Sequence, residues 1–319
     1  MTIISIIGAG PIAEEHIKAF RDIQDVKIKG IYSRTFEKAL KLSEVYDIDL
    51  VATSIEELFR ETNSNLVVVA IPIPEVRSII DSLCKYTWNI FLEKPAGLNY
   101  KECEYIYNIS NQHKKKVFVG HNRRFLSSAQ LIKKDLEEEE YRFISINDCQ
   151  DTIAARVMKH PQIVIENWMY ANSIHLIDLF HFFGRSEIES VKIVSEFDFK
   201  NPKTTISYIL YKNGDEGLYQ CTWNTPGPWA CSITTNDRFY EMRPLEKGRF
   251  KNKASTKFCE YVDNPDLEKY KPGFYSQALS IVRNLNGHNS YVVTIKDSLE
   301  TMKLIQSIYT GRKNEEIFF

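Results

Sequence analysis

The feature that most constrains this chain lies at its start. Ile3-Ile4-Ser5-Ile6-Ile7 runs straight into Gly8-Ala9-Gly10-Pro11-Ile12-Ala13. A β-branched run of this kind reads as a buried strand, and the residues from Ile12 onward carry a helical period. Gly8 permits a tight turn between the two. Gly10 lets backbone approach a phosphate, and Ala13 is small enough for helix to meet strand. An anion at such a turn would face the free N–H groups that open the helix. One G-x-G-x-x-A turn is a weak signal, and an ordinary glycine turn is the competing reading. Its surroundings strengthen it. Apolar runs at Val26 to Tyr32, Leu66 to Ile71, Asn89 to Leu92 and Lys116 to Val119 alternate with helical patterns at Phe36 to Tyr46, Pro74 to Lys85 and Tyr100 to Gln112. Such alternation predicts right-handed crossovers and a doubly wound parallel sheet. Residues 1–121 are therefore expected to form a Rossmann dinucleotide-binding domain.

Near residue 142 the pattern changes. Strand-like runs at Phe143 to Asn147, Val191 to Glu196, Thr205 to Tyr211, Gly217 to Trp223 and Ala230 to Thr234 follow one another, with turn signals at Asn213-Gly214 and Pro226-Gly227-Pro228. Helical patterns return at Asn172 to Phe183, Phe274 to Leu285 and Lys296 to Tyr309. Residues 122–319 thus read as an α+β domain with a mostly antiparallel open sheet. The total of 319 residues suits two domains at about 150 residues each.

Charge narrows the partners. Lys plus Arg is 41 and Asp plus Glu is 42, a net of -1. No basic surplus marks a nucleic-acid partner, although a local basic pocket remains open. None of the six cysteines forms a C-x-x-C pair, so no metal site is expected. The longest apolar stretch, Leu66 to Ile73, falls short of the roughly 20 residues that span a bilayer. Met1 to Gly10 lacks a basic leader, and Glu14 and Glu15 follow it. The expectation is a cytoplasmic protein with no membrane partner and a small-molecule ligand.

The second strand ends Gly30-Ile31-Tyr32-Ser33-Arg34-Thr35, with no acid to bond a ribose 2′-hydroxyl. Ser33 and Arg34 suit a 2′-phosphate instead, which favours NADP over NAD. A solvated strand-end arginine is the alternative.

Several further pieces occur in a telling order: His16 and Ala19 in the first helix, Val69-Ala70-Ile71-Pro72, Glu93-Lys94-Pro95, Arg124-Phe125, and His175-Leu176-Ile177-Asp178. With the opening glycines, they make the chain resemble the Gfo/Idh/MocA family of oxidoreductases, and Glu93-Lys94-Pro95 is the most specific of them. The resemblance implies hydride transfer between a nicotinamide cofactor, NADP or NAD, and a hydroxyl-bearing carbon of a sugar, cyclitol or nucleotide sugar. It places the cofactor at Gly8, Gly10, Pro11, Ile12, Ser33, Arg34, Ile71, Pro72, Glu93 and Lys94. It places the substrate at Lys94, Asn122, Arg123, Tyr170, Asn172 and His175. Lys94 matches the lysine that bonds the reacting oxygen, and His175 matches the general acid/base. Both types suit the chemistry: an imidazole shuttles a proton near neutral pH, and an ammonium stabilises a developing alkoxide. A homodimer or homotetramer through the open sheet is also implied.

One position departs from the family pattern. Ala171 stands where an Asp four residues before the histidine is usual. Asn172 and Asp178 are the candidate substitutes for orienting His175, and a structural role for Asp178 is the alternative. The departure keeps open a non-catalytic NAD(P)/sugar-binding regulator, or an enzyme that cleaves glycosides through transient oxidation. His121 reads either as part of the active-site floor that the resemblance implies or as ordinary loop polarity, Trp168 either as a wall of the substrate pocket or as aromatic core, and His181 as a partly buried helix histidine. Trp223 to Trp229 is aromatic enough to stack on a sugar ring or to form a dimer contact. Arg243 and Lys247 read either as solvated surface or as partners for a substrate anion.

Overall fold

The computed structural model describes residues 1–262, 267 and 269–319. In chain order its first elements are β1 (Thr2–Ile7), α1 (Pro11–Arg21), β2 (Val26–Tyr32), α2 (Phe36–Tyr46), β3 (Leu50–Ala52), α3 (Ile55–Thr62), β4 (Leu66–Val69), α4 (Ile73–Leu83), β5 (Asn89–Leu92), α5 (Tyr100–Gln112) and β6 (Val117–Val119). There follow α6 (Ser127–Asp135), β7 (Phe143–Gln150), α7 (Thr152–Val157), α8 (Gln162–Glu166), α9 (Ile174–Phe183), β8 (Ile188–Ser195), β9 (Thr204–Tyr211) and β10 (Glu216–Trp223). The last are β11 (Ala230–Thr234), β12 (Arg238–Met242), β13 (Gly248–Asn252), β14 (Cys259–Glu260), α10 (Phe274–Leu285), α11 (Ile295–Thr310) and β15 (Glu316–Phe318).

The chain divides into two compact units, Met1–Asn122 with Asp266–Leu299, and Arg123–Pro265 with Glu300–Phe319. A single cut after residue 121 therefore does not describe the units. The physical reason is α10. Its Phe274, Ala278, Ile281 and Val282 join Ile4, Ile6, Phe20 and Phe118 in one hydrophobic core. The Val119 N–H also donates to Val293 O at 2.9 Å.

In the first unit six parallel strands lie in the order β3-β2-β1-β4-β5-β6. The doubly wound sheet is as the alternation predicts. All four residues of β4 are buried, because helices cover both faces of such a sheet. Two elements escape the sequence reading, β3 and α3. The signal for α3 is nevertheless present. Ser54 Oγ accepts from the Glu57 N–H at 3.0 Å, and the Glu57 carboxylate accepts from the Thr53 N–H at 2.7 Å. This variant of a capping box fixes the helix start.

The second unit holds a nine-stranded sheet, ordered β14-β13-β12-β11-β7-β10-β9-β8-β15. Its pairs are antiparallel except β7 with β10, which is parallel. Asn213-Gly214 does join the neighbours β9 and β10. Pro226-Gly227-Pro228 is no hairpin, because β7 lies between β10 and β11. A π-helical turn, Met169–Ser173, leads into α9, which buries eight of its ten residues.

Candidate functional site

In the first unit the site is organised by the strand order. The sheet grows in opposite directions from β1 and β4, and the crevice beyond their carboxyl ends is where such sheets take ligands. Gly8 follows β1 there with φ +114°, and a Cβ on it would lie 2.1 Å from Ala70 O. Only glycine fits that approach. Gly10 is different: a Cβ on it would meet nothing within 4 Å. It caps α1 without a side-chain bond, and Pro11 occupies the first turn. The helix thus opens towards free space, with the N–H groups of Ile12 and Ala13 lacking i−4 acceptors by helix geometry. A pyrophosphate fits this cradle by charge and by room. Ile71 and Pro72, just after β4, and Ser33 and Arg34, after β2, belong to the same strand-end edge.

Ser33 Oγ accepts from the Thr35 N–H at 3.2 Å. Arg34 lies 3.1 Å from the Glu75 carboxylate near the start of α4, with 68% of its side chain exposed. The Arg34 guanidinium therefore already has an acidic neighbour.

After β5 comes Glu93, whose carboxylate is 2.6 Å from His16 Nε2 on α1. Burial alone pushes the Glu93 carboxyl up. The His16 hydrogen bond and charge, with Lys94 and Lys271, outweigh this and hold it below the usual carboxylate range. This pair was not legible as a contact, because its members are 77 residues apart. Lys94 is half-buried and its bond to Pro95 is cis. His121 is buried and bonds Ser298 Oγ at 3.0 Å, while Asn122 Nδ2 donates to Pro272 O at 2.9 Å.

The second unit carries the other predicted residues. His175 opens α9 half-buried, its ring centroid 5.9 Å from that of Trp229. Tyr170 is buried at 8% exposure, and burial pushes its phenol up to about 12. Ala171 is likewise buried. Asp178 takes a two-point bond from Arg124, at 2.6 Å for both Nε and Nη2, and a third from Thr301 Oγ1 at 2.8 Å. With both partners almost fully buried, this is a cross-link between segments. Arg123 pairs with Glu246 and lies 5.9 Å from the Trp229 ring. His181 is half-buried, and Trp168 meets the ring of His160 edge-on.

Asn172 leads to a group that sequence reasoning missed. Its amide donates to Gln150 Oε1 at 2.8 Å, and Gln150 donates to Asp148 at 2.6 Å. Asp148 also accepts from Tyr219 Oη at 2.7 Å, and Tyr219 Oη is 2.7 Å from Tyr309 Oη. Burial pushes the Asp148 carboxyl up, against the bonds from Tyr219, Ser173 and Gln150. The signal was available. Along β7 the even positions are buried, and Asp148 and Gln150 occupy two of them.

The fold and the β1/β4 cradle define a dinucleotide-binding Rossmann unit, joined in sequence to an α+β unit with a large, mostly antiparallel sheet. Residues 3–121 match the Gfo/Idh/MocA oxidoreductase family, NAD-binding Rossmann fold. The chain is 23% identical over 181 residues to the 4-carboxy-2-hydroxymuconate-6-semialdehyde dehydrogenase of a Sphingobium species, covering 56% of this chain and 57% of that protein. It is 26% identical over 232 residues to Oxidoreductase P35 of Formosa agariphila, covering 69% and 71%. The match thus spans little more than half the length of the first relative. Among solved structures, the UDP-N-acetylglucosamine 3-dehydrogenase of Acidithiobacillus ferrooxidans superposes with a TM-score of 0.77 at 12% identity, covering 98% of this chain and 97% of that one. At that identity the likeness speaks to fold alone. No helix among the described residues is long and apolar enough to cross a membrane.

Proposed function

We propose that the protein is an NAD(P)-dependent oxidoreductase that moves a hydride to or from a hydroxyl-bearing carbon of a sugar, cyclitol or nucleotide sugar. The observation that carries this reading is the open helix N-terminus above Gly10 at the β1/β4 switch. A bound nicotinamide supplies the hydride acceptor or donor. Gly8, Gly10, Pro11 and Ile12 hold its pyrophosphate, Ser33 and Arg34 its adenosine ribose, and Ile71, Pro72, Glu93 and Lys94 line the remainder. Lys94 donates a hydrogen bond to the reacting oxygen and stabilises the charge that grows there. His175 takes the hydroxyl proton in oxidation and returns it in reduction. Asn122, Arg123, Tyr170 and Asn172 are the further substrate contacts.

NADP is preferred in this reading, because Arg34 offers a cation and the strand end offers no acid. Glu75 opposes that preference, since a 2′-phosphate must draw Arg34 away from it. The relatives' names include a semialdehyde and a UDP-sugar, so they support the reaction class and no single substrate. The test is a screen of sugars, cyclitols and nucleotide sugars with NADP and NAD, following nicotinamide absorbance, beside Lys94→Ala and His175→Ala. The proposal expects turnover that each substitution lowers by about 10²-fold or more. Full activity in Lys94→Ala would remove its assigned role. A second reading, a cofactor- and sugar-binding protein without turnover, is favoured by the buried Ala171 at the usual acid position. Measured hydride transfer eliminates it.

A further inference from the structure

We propose that a concavity of the second unit is a substrate pocket that reads an anionic group, a carboxylate or phosphate carried on a sugar-sized ring. It is lined by Pro228, Trp229, Arg243, Pro244, Leu245 and Glu246 and encloses about 330 Å³. That volume sits at the low end of small-molecule sites, roughly 300–1,000 Å³, and suits one ring rather than a dinucleotide.

The walls are apolar and fixed. Leu245 is buried, and its carbonyl accepts from Ser128 Oγ at 2.6 Å. The Trp229 indole N–H donates to Cys149 O at 2.9 Å, which holds the ring in the pocket wall. Trp223, the other indole of that aromatic run, is buried against Phe197 and Tyr309 and does not line the pocket.

The charges are unequal. Glu246 is engaged by Arg123, which also lies over Trp229. Arg243 is exposed, and among the described residues no acidic side chain pairs with it. Two guanidiniums against one carboxylate leave one positive charge at the pocket. A guanidinium presents parallel N–H donors that match a carboxylate or phosphate, which a neutral hydroxyl cannot reproduce. Trp229 connects this pocket to the proposed chemistry, because its other neighbour is the ring of His175. The inference rests on the oxidoreductase reading only in taking the ligand to be the substrate.

The test is direct binding to the full-length protein by calorimetry, with D-glucuronate, D-glucose 6-phosphate and D-glucose as probes, and with Arg243→Gln and Arg243→Lys beside the wild type. The pocket predicts that at least one charged probe binds tenfold or more tightly than glucose. It predicts that Arg243→Gln removes that advantage, that Arg243→Lys keeps part of it, and that added salt weakens it. Whichever charged probe binds better identifies the anion as carboxylate or phosphate. NADPH binding reports that the variants remain folded. Equal binding of charged and neutral probes, binding by none of them, or an Arg243→Gln variant that holds the charged probe like wild type would each overturn the proposal. The two readings fail separately. Arg243-dependent binding without hydride transfer removes the oxidoreductase reading and keeps the pocket. Turnover of a neutral sugar, unaltered in Arg243→Gln, does the reverse.

Discussion

Asp148 is a buried carboxylate and Glu93 a largely buried one, its side chain 16% exposed, and their surroundings push them in opposite directions. For Glu93 the His16 bond and charge overcome burial, so the folded state holds the proton less tightly than the unfolded chain. Its stabilisation is therefore complete above the usual glutamate value of about 4.3 and is lost as pH falls through the lower folded value. His16→Ala should cost about 3 kcal/mol near neutral pH, because it leaves a buried charge without its partner. The deficit, read from melting curves, should shrink as acid neutralises Glu93; a deficit unchanged down to pH 3 would contradict the pairing. Asp148 has the reverse sign. Burial raises its folded pKa, so its contribution is most favourable below about pH 3.9 and is lost as pH rises through the folded value. Asp148→Asn keeps the shape and removes the titration. The stability of the variant relative to wild type should grow between pH 4 and pH 7, and a constant difference would show that Asp148 does not titrate in that window. At the cofactor end, Glu75→Gln should strengthen NADPH binding several-fold with little change for NADH. An equal change for both would show that Glu75 has no part in cofactor choice.

At the scale of elements, α9 carries both the proposed proton carrier and a tie to its neighbours. Asp178 binds Arg124 and Thr301, so it joins three segments of the second unit. Asp178→Ala should lower stability by about 3–5 kcal/mol, because the buried Arg124 loses its counter-charge. Chemical denaturation measures it, and a loss under 1 kcal/mol would mean that the cross-link is relieved by water. The first unit was the more legible. Long β-branched strands between amphipathic helices announce themselves, and Phe36–Tyr46 and Tyr100–Gln112 match the expected helices end to end. β3 was missed because three residues hold no period. In the second unit, individual strands such as Ala230–Thr234 were legible and their neighbours were not. β7 lies between β10 and β11, a long-range pairing that no local pattern encodes. β12 and β13 went unread, since Arg238, Glu241, Arg249 and Lys251 dilute their alternation. Of the candidate site, the glycine cradle was visible because glycine alone meets the steric demand at Gly8. The Asp148 network was visible only as an acid on the buried phase of a strand.

At the scale of the whole molecule, the units are discontinuous in sequence, since α10 returns to the first unit's core and the division falls within α11. Truncation after residue 121 should therefore yield an insoluble or molten first half, whereas fusing 1–122 to 266–299 should restore cooperative melting. Across the open sheet, Ile206, Tyr208, Leu210 and Leu218 are part-exposed on the outward phase of β9 and β10. The dimer or tetramer that the resemblance implies would use that apolar face. Light scattering after size exclusion should show a dimer or tetramer that Tyr208→Glu reduces to smaller species; a monomeric wild type would exclude this. The central claim, a dinucleotide held above Gly10, has one direct measurement. A side chain on Gly10 meets nothing within 4 Å and its φ is -91°, so Gly10→Asp leaves the fold intact while filling the cradle with a negative charge. NADPH titration followed by fluorescence should show binding by wild type and a loss of about 100-fold or more in Gly10→Asp, with the melting temperature unchanged or raised. A wild type that binds neither NADPH nor NADH, or a Gly10→Asp variant that binds as wild type does, would contradict the account.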